Sequence, residues 1–130
     1  MREIKFRGRR KNSSEWVYGA FLAIPKLCSY IYDVQPDGQA TRYLVEEDTV
    51  GQFTGLKDAD GREIYEGDIL QKRDELAWRT VDRGVVFWHS DECRWCVEMR
   101  DGLVFSLTSR KSNTWRVIGN IYDNPELIKK

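Results

Sequence analysis

The densest group of reactive side chains in the sequence is His89-x3-Cys93-x2-Cys96, with Cys28 as a distant fourth donor. Three or four nitrogen and sulfur ligands suit zinc, which takes a tetrahedral set. On a regular strand, however, Cys93, Trp95, Val97 and Met99 alternate onto one face and Cys96 falls on the other. Ligands on opposite faces cannot share an ion without a turn between them. The second Cys-x2-Cys knuckle that would make the pattern specific is also missing. The expectation is therefore free, packed cysteines and no metal, with His89, Cys93 and Cys96 as the residues to inspect. A redox role for the same pair would need a helix opening after a strand, which the surrounding residues do not suggest.

Other chemistries fare no better. Nucleophilic catalysis needs a base, and the single histidine, His89, is the only evident one. Ser90 and Cys93 lie near it in sequence, but neither spacing implies a productive pair. The Asp58-x-Asp60-Gly61 segment has the look of a calcium loop. Setting Gly61 at the sixth loop position puts Leu56 at the first and Gly67 at the twelfth, where carboxylates are required, so a turn is the better reading. No catalytic residue, cofactor or enzymatic activity is expected.

Binding is better served. Lys5, Arg7, Arg9, Arg10 and Lys11, with Arg2 ahead of them, form a basic cluster. Lys5 and Arg7 share a strand face, and Trp16 and Tyr18 follow closely enough to stack on unpaired bases. The competing reading is that such charges shield a strand edge from aggregation. Five Trp, six Tyr and five Phe exceed what a core of this size is expected to enclose, so some should face another chain. Contact with another protein, or a homo-oligomer, ranks first. Nucleic-acid binding is the alternative, and an enzyme using His89 comes third.

The elements that must position these residues are short and β-like, because aromatics mix with Val, Ile and Thr between turn signals. Strands are expected at 2–7, where Ile4 and Phe6 face one way, and at 16–23, 28–34, 41–45 and 49–54. Further strands are expected near 63–65, 67–70, 79–88, 93–99, 103–107 and 114–122. Asp37-Gly38, Asp60-Gly61 and Asp101-Gly102 mark turns, the last as a two-residue hairpin. Helix signals are thin: two turns over 71–78, and a short C-terminal helix with Asn124 as N-cap and Pro125 at its first position. The fold class expected is all-β, or mainly β with one or two short helices.

The 130 residues suit one domain. Lys plus Arg number 21 and Asp plus Glu number 21, so no net charge draws the chain onto DNA or an anionic membrane. No apolar run approaches the ~18–20 residues that span a bilayer. A charged start without an apolar signal core and an odd count of three cysteines point to a reducing cytoplasm.

Two segments carry more than composition. GQFTGLKDADGREIYEGDIL, Gly51 to Leu70, and VIGNIYDNPEL, Val117 to Leu127, resemble the two most recognisable stretches of the YopX-like family of phage and prophage proteins. REIKFRG, Arg2 to Gly8, and WVYG, Trp16 to Gly19, resemble looser pieces of it, so the likeness spans nearly the whole chain. The resemblance implies a small β protein in the cytoplasm of a bacterial host, without an established biochemical role and with a host or phage protein as its partner where it is not a homo-oligomer, and it supplies no catalytic residue. The Tyr65-Glu66-Gly67-Asp68-Ile69 turn-to-strand pattern is also similar to small SH3-like barrels. The expected layout is thus a single YopX-like domain, 1–130. An N-terminal sheet over 1–60 would lie beside a small open barrel over 63–122, followed by a tail at 123–130.

Overall fold

The computed structural model describes residues 2–72, 83–110 and 112–129. Eleven strands run through these residues: β1 (Phe6–Arg9), β2 (Trp16–Ile24), β3 (Cys28–Val34), β4 (Ala40–Leu44), β5 (Gly51–Lys57), β6 (Glu63–Tyr65), β7 (Asp68–Lys72), β8 (Arg83–His89), β9 (Arg94–Met99), β10 (Val104–Ser106) and β11 (Trp115–Asn120). Among the described residues the only helical pieces are single 3-10 turns at Glu47–Thr49, Ser112–Thr114 and Pro125–Ile128. None is long and apolar enough to cross a membrane. The all-β expectation holds. The helix expected at 71–78 falls, past Lys72, outside the described residues, as do residues 79–82 of the strand that becomes β8.

The chain divides into two compact units, Met1–Phe53 and Thr54–Lys130. The division lies inside β5, ahead of the Asp60-Gly61 turn, because the hairpin beyond it sends Ile64 into the second unit's core.

In the first unit the antiparallel order is β4-β3-β2-β1-β5. β1 opens at Phe6 rather than at residue 2, since its ladder to β2 begins with Phe6 opposite Gly19; Ile4 is left exposed. Past β4 the sheet curls back on itself. Val45 bridges Arg10, the Lys11 amide donates to the Leu44 carbonyl at 3.1 Å, and the Glu46 amide donates to that of Arg9 at 2.9 Å. Gly8 allows this return, because a Cβ there would stand 3.1 Å from the Val45 side chain. The curl encloses Val17, Ile31 and Val45, with Phe6, Phe21 and Tyr43 packed against them.

In the second unit a five-stranded antiparallel sheet runs β10-β9-β8-β7-β11. β10 and β11 stand at opposite ends of that order, so the sheet does not close into a barrel. Its strands nevertheless send Leu70, Val86, Val97, Trp115 and Val117 into one core with Ile64, each such side chain contributing ~1.5–3 kcal/mol on burial. All three Asp-Gly pairs form turns, and Gly61 and Gly102 take φ of 82° and 93°. The last is looser than expected. The Met99 amide donates to the Leu103 carbonyl at 2.8 Å, leaving a three-residue loop in which Gly102 takes the left-handed position. At the C-terminus Pro125 does open the 3-10 turn. Asn124 does not cap it; its Oδ1 instead accepts the Asn120 amide at 3.2 Å.

Candidate interaction face

β2, β3 and β4 are the positioning elements, and their register decides which residues sit together. Leu22 pairs with Tyr30 and Tyr30 with Leu44; Ala20 pairs with Tyr32 and Tyr32 with Arg42. Directly opposed residues share a face. The inner face carries Val17, Phe21, Ile31 and Tyr43 to the core. The outer face, which polar residues would cover in an ordinary one-sided sheet, is apolar as well. On it Leu22, Ile24, Val34 and Leu44 are exposed, Tyr18 lies nearly half exposed, and Tyr30 and Tyr32 are half-buried.

The face is ordered by its own ring contacts. Tyr30 and Tyr32 lie 6.4 Å apart in tilted geometry, and the Arg42 guanidinium sits 4.5 Å from the Tyr30 ring centre. Arg42 is the one charged side chain at the outward positions of β2 from Tyr18 onward, β3 and β4. Hydrogen bonding to the Cys28 side chain, reinforced by its charge, raises the Tyr30 hydroxyl above its ordinary 10.0, while Arg42 pulls the other way. Such a face offers area and tyrosine hydroxyls to a partner.

The basic residues singled out from the sequence lie along β1 and just after it, and most meet partners within the first unit. Lys5 pairs with Glu3 at 2.8 Å and covers the Phe53 ring. Arg9 pairs with Glu46 at 3.3 Å, and Arg10 with Glu15 at 3.2 Å while lying over Tyr43. Arg7, expected to face solvent beside Lys5, is buried with its guanidinium 4.9 Å from the Trp16 ring. The reason is that β1 is an interior strand, flanked by β2 and β5, so neighbours on both sides cover the Arg7 stem. Lys11 is exposed.

His89 closes β8, and its Nδ1 accepts the Glu92 amide at 3.3 Å. Cys93 lies exposed in the following turn with φ of 53°, its thiol donating to the Ser90 carbonyl at 3.5 Å. Cys96 is fully buried in β9, paired with Phe87. Cys28 belongs to β3 in the first unit. All three cysteines are free, and among the described residues no three His, Cys, Asp or Glu side chains are grouped to hold a metal ion.

The whole architecture has a solved counterpart. The crystal structure of protein EF1440 from Enterococcus faecalis superposes with a TM-score of 0.63 over 99% of this chain and 100% of that one, at 24% identity, which establishes a common fold. No curated protein matches the chain. The model of the YopX protein family matches residues 5–129. The chain belongs to the YopX family. In this YopX chain the stretches around Asp58 and Val117 meet in the second unit. Asp58 Oδ2 accepts the Val117 amide at 2.9 Å, the Ala59 amide donates to the Trp115 carbonyl at 2.9 Å, and Arg116 pairs with Asp60 at 2.9 Å. The Ile121 amide donates to the Gly67 carbonyl at 3.0 Å. Asp68, fully buried, accepts the Tyr65 amide at 2.7 Å. The Asp58 and Asp68 carboxylates thus tie backbone segments together, while that of Asp60 meets the Arg116 guanidinium.

The outer face escaped the sequence reading, although its signal was present. WVYGAFLAI and CSYIYDV contain no charge before Asp33. Near-continuous apolar strands of that kind are apolar on both faces.

Proposed function

We propose that this protein is a non-catalytic interaction protein of phage or prophage origin that works in the bacterial cytoplasm by binding another protein through the outer face of β2, β3 and β4. The observation that carries the reading is the Leu22–Tyr30–Leu44 row, apolar, in register and open to solvent on the side of the sheet away from its core. Adjoining exposed apolar patches on soluble proteins mark contact sites. Tyrosines add large, rigid contact area with a polar tip. Membership of the YopX family supports the phage or prophage setting.

Nucleic-acid binding through Lys5, Arg7, Arg9, Arg10 and Lys11 is the weaker reading. Glu3, Glu46 and Glu15 already neutralise three of these cations, and nearby rings are occupied by the chain's own guanidinium and ammonium groups.

A photoreactive amino acid placed at Leu22 or Leu44, in the cells that naturally carry the protein, tests the proposal. Discrete adducts of reproducible mass, identified by peptide mapping, are expected from both positions. The same probe at exposed Lys57 should give none. Equal adduct yields at all three positions, or none from the face, would overturn it.

A further inference from the structure

Resting on that reading, we infer that the occupant of the outer face is a second copy of this chain, packed sheet to sheet about a two-fold axis near the Leu22–Tyr30–Leu44 row. The area argues for a complete interface. Tyr18, Leu22, Ile24, Val34 and Leu44 are 46, 47, 40, 61 and 40% exposed. Side chains of this size offer on the order of 200 Å² when open, so the five leave roughly 500 Å² of neighbouring apolar surface. A stable interface takes ~800 Å² from each partner, a little over half of it apolar. The face therefore supplies about what one side of a standard interface requires. Among the described residues, the second unit's exposed large apolar side chains, Trp88 and Leu103 to Phe105, are fewer.

Charge argues for a copy rather than a foreign chain. Balanced totals of 21 and 21 leave no long-range repulsion between identical molecules. A partner selected by charge would answer a patterned face, yet this one carries the single cation Arg42, whose guanidinium is already placed over its own Tyr30 ring. Across an interface Arg42 can donate to an acceptor such as the Tyr32 hydroxyl of a facing copy. A two-fold contact uses the same patch twice, so complementarity of this face to itself is sufficient. Two such sheets stack ~10 Å apart, with strands inclined by about 30°.

Sedimentation velocity on the purified, untagged protein decides the matter. The wild type should sediment at twice the 15.3 kDa of one chain at tens of micromolar and dissociate on dilution. Leu22→Glu with Leu44→Glu should weaken the dimer at least ~100-fold, because buried acids then face one another. Val34→Arg, a single change at the most exposed position of the face, serves if the double variant fails to fold. Leu103→Glu in the second unit should leave the dimer intact. A monomer at every concentration, or a dimer that Leu103→Glu disperses and Val34→Arg does not, would overturn the inference. A monomer whose Leu22 still crosslinks to a different protein would do the same while leaving the wider proposal standing.

Discussion

The carboxylate of Asp58 accepts the backbone amide of Val117 across fifty-nine residues of chain, at 2.9 Å and out of contact with water. Its other oxygen accepts the amides of Asp60 and Arg62 at 2.9 and 2.8 Å. One side chain thus shapes the β5–β6 turn and fastens β11 to it.

Replacing Asp58 with Ala should cost about 3 kcal/mol in urea unfolding, since buried amides then lose a charged acceptor. Asp58→Asn keeps one carbonyl oxygen and should cost roughly half as much. Equal stability of wild type and Asp58→Ala would show that the amides find other partners.

Gly19 fixes the approach of β2 to β3. Its φ is 154°, and a Cβ there would lie 2.0 Å from the Tyr32 carbonyl oxygen. Gly19→Ala should destabilise the first unit by about 3 kcal/mol, as the strand must move to admit the methyl group. Proteolysis of the first unit under native conditions would read this directly, with faster cleavage expected in the variant.

Tyr30 should ionise later in an alkaline absorbance titration than a tyrosine free of neighbours, and Cys28→Ala should remove most of the difference. A folded value above the unfolded one means that the fold favours the neutral hydroxyl. The resulting stability is fully present below the ordinary 10.0 and is lost as the pH rises through the folded value. Beyond that point the face acquires a negative charge, and contacts made through it should weaken in step.

Wild-type protein should bind single-stranded oligonucleotides no more tightly than about 10⁻⁴ M by fluorescence anisotropy at moderate salt, the level of weak non-specific association. Changing Arg9, Arg10 and Lys11 together to Ala should alter that value little. Micromolar, salt-sensitive binding abolished by the triple change would restore the basic cluster as the functional surface.

The strands and turns were largely legible because this sequence states them locally. Aromatic and β-branched runs broken by Asp-Gly pairs are enough to place β2, β3, β9 and β11 within a few residues. The start of β1 was not legible, because alternation at 2–7 looks the same whether or not a partner strand lies alongside. The burial of Arg7 was hidden for a similar reason: it depends on β1 having neighbours on both sides. Cys93 and Cys96 looked like one motif, yet a left-handed residue at Cys93 ends the turn there and leaves Cys96 in the strand. The outer face was implied by charge-free β2 and β3, but only their register brings Leu22, Tyr30 and Leu44 into a single row.

Hydroxyl-radical footprinting in intact bacteria that carry the protein reports solvent access residue by residue in the working state. Binding through the outer face predicts several-fold lower labelling of Leu22, Tyr30 and Leu44 in the cell than in dilute purified protein, with Leu103 and Val104 labelled equally in both. Labelling of Leu22 and Leu44 in the cell as strong as in the dilute protein would mean that the face stays open to water, and would contradict the account.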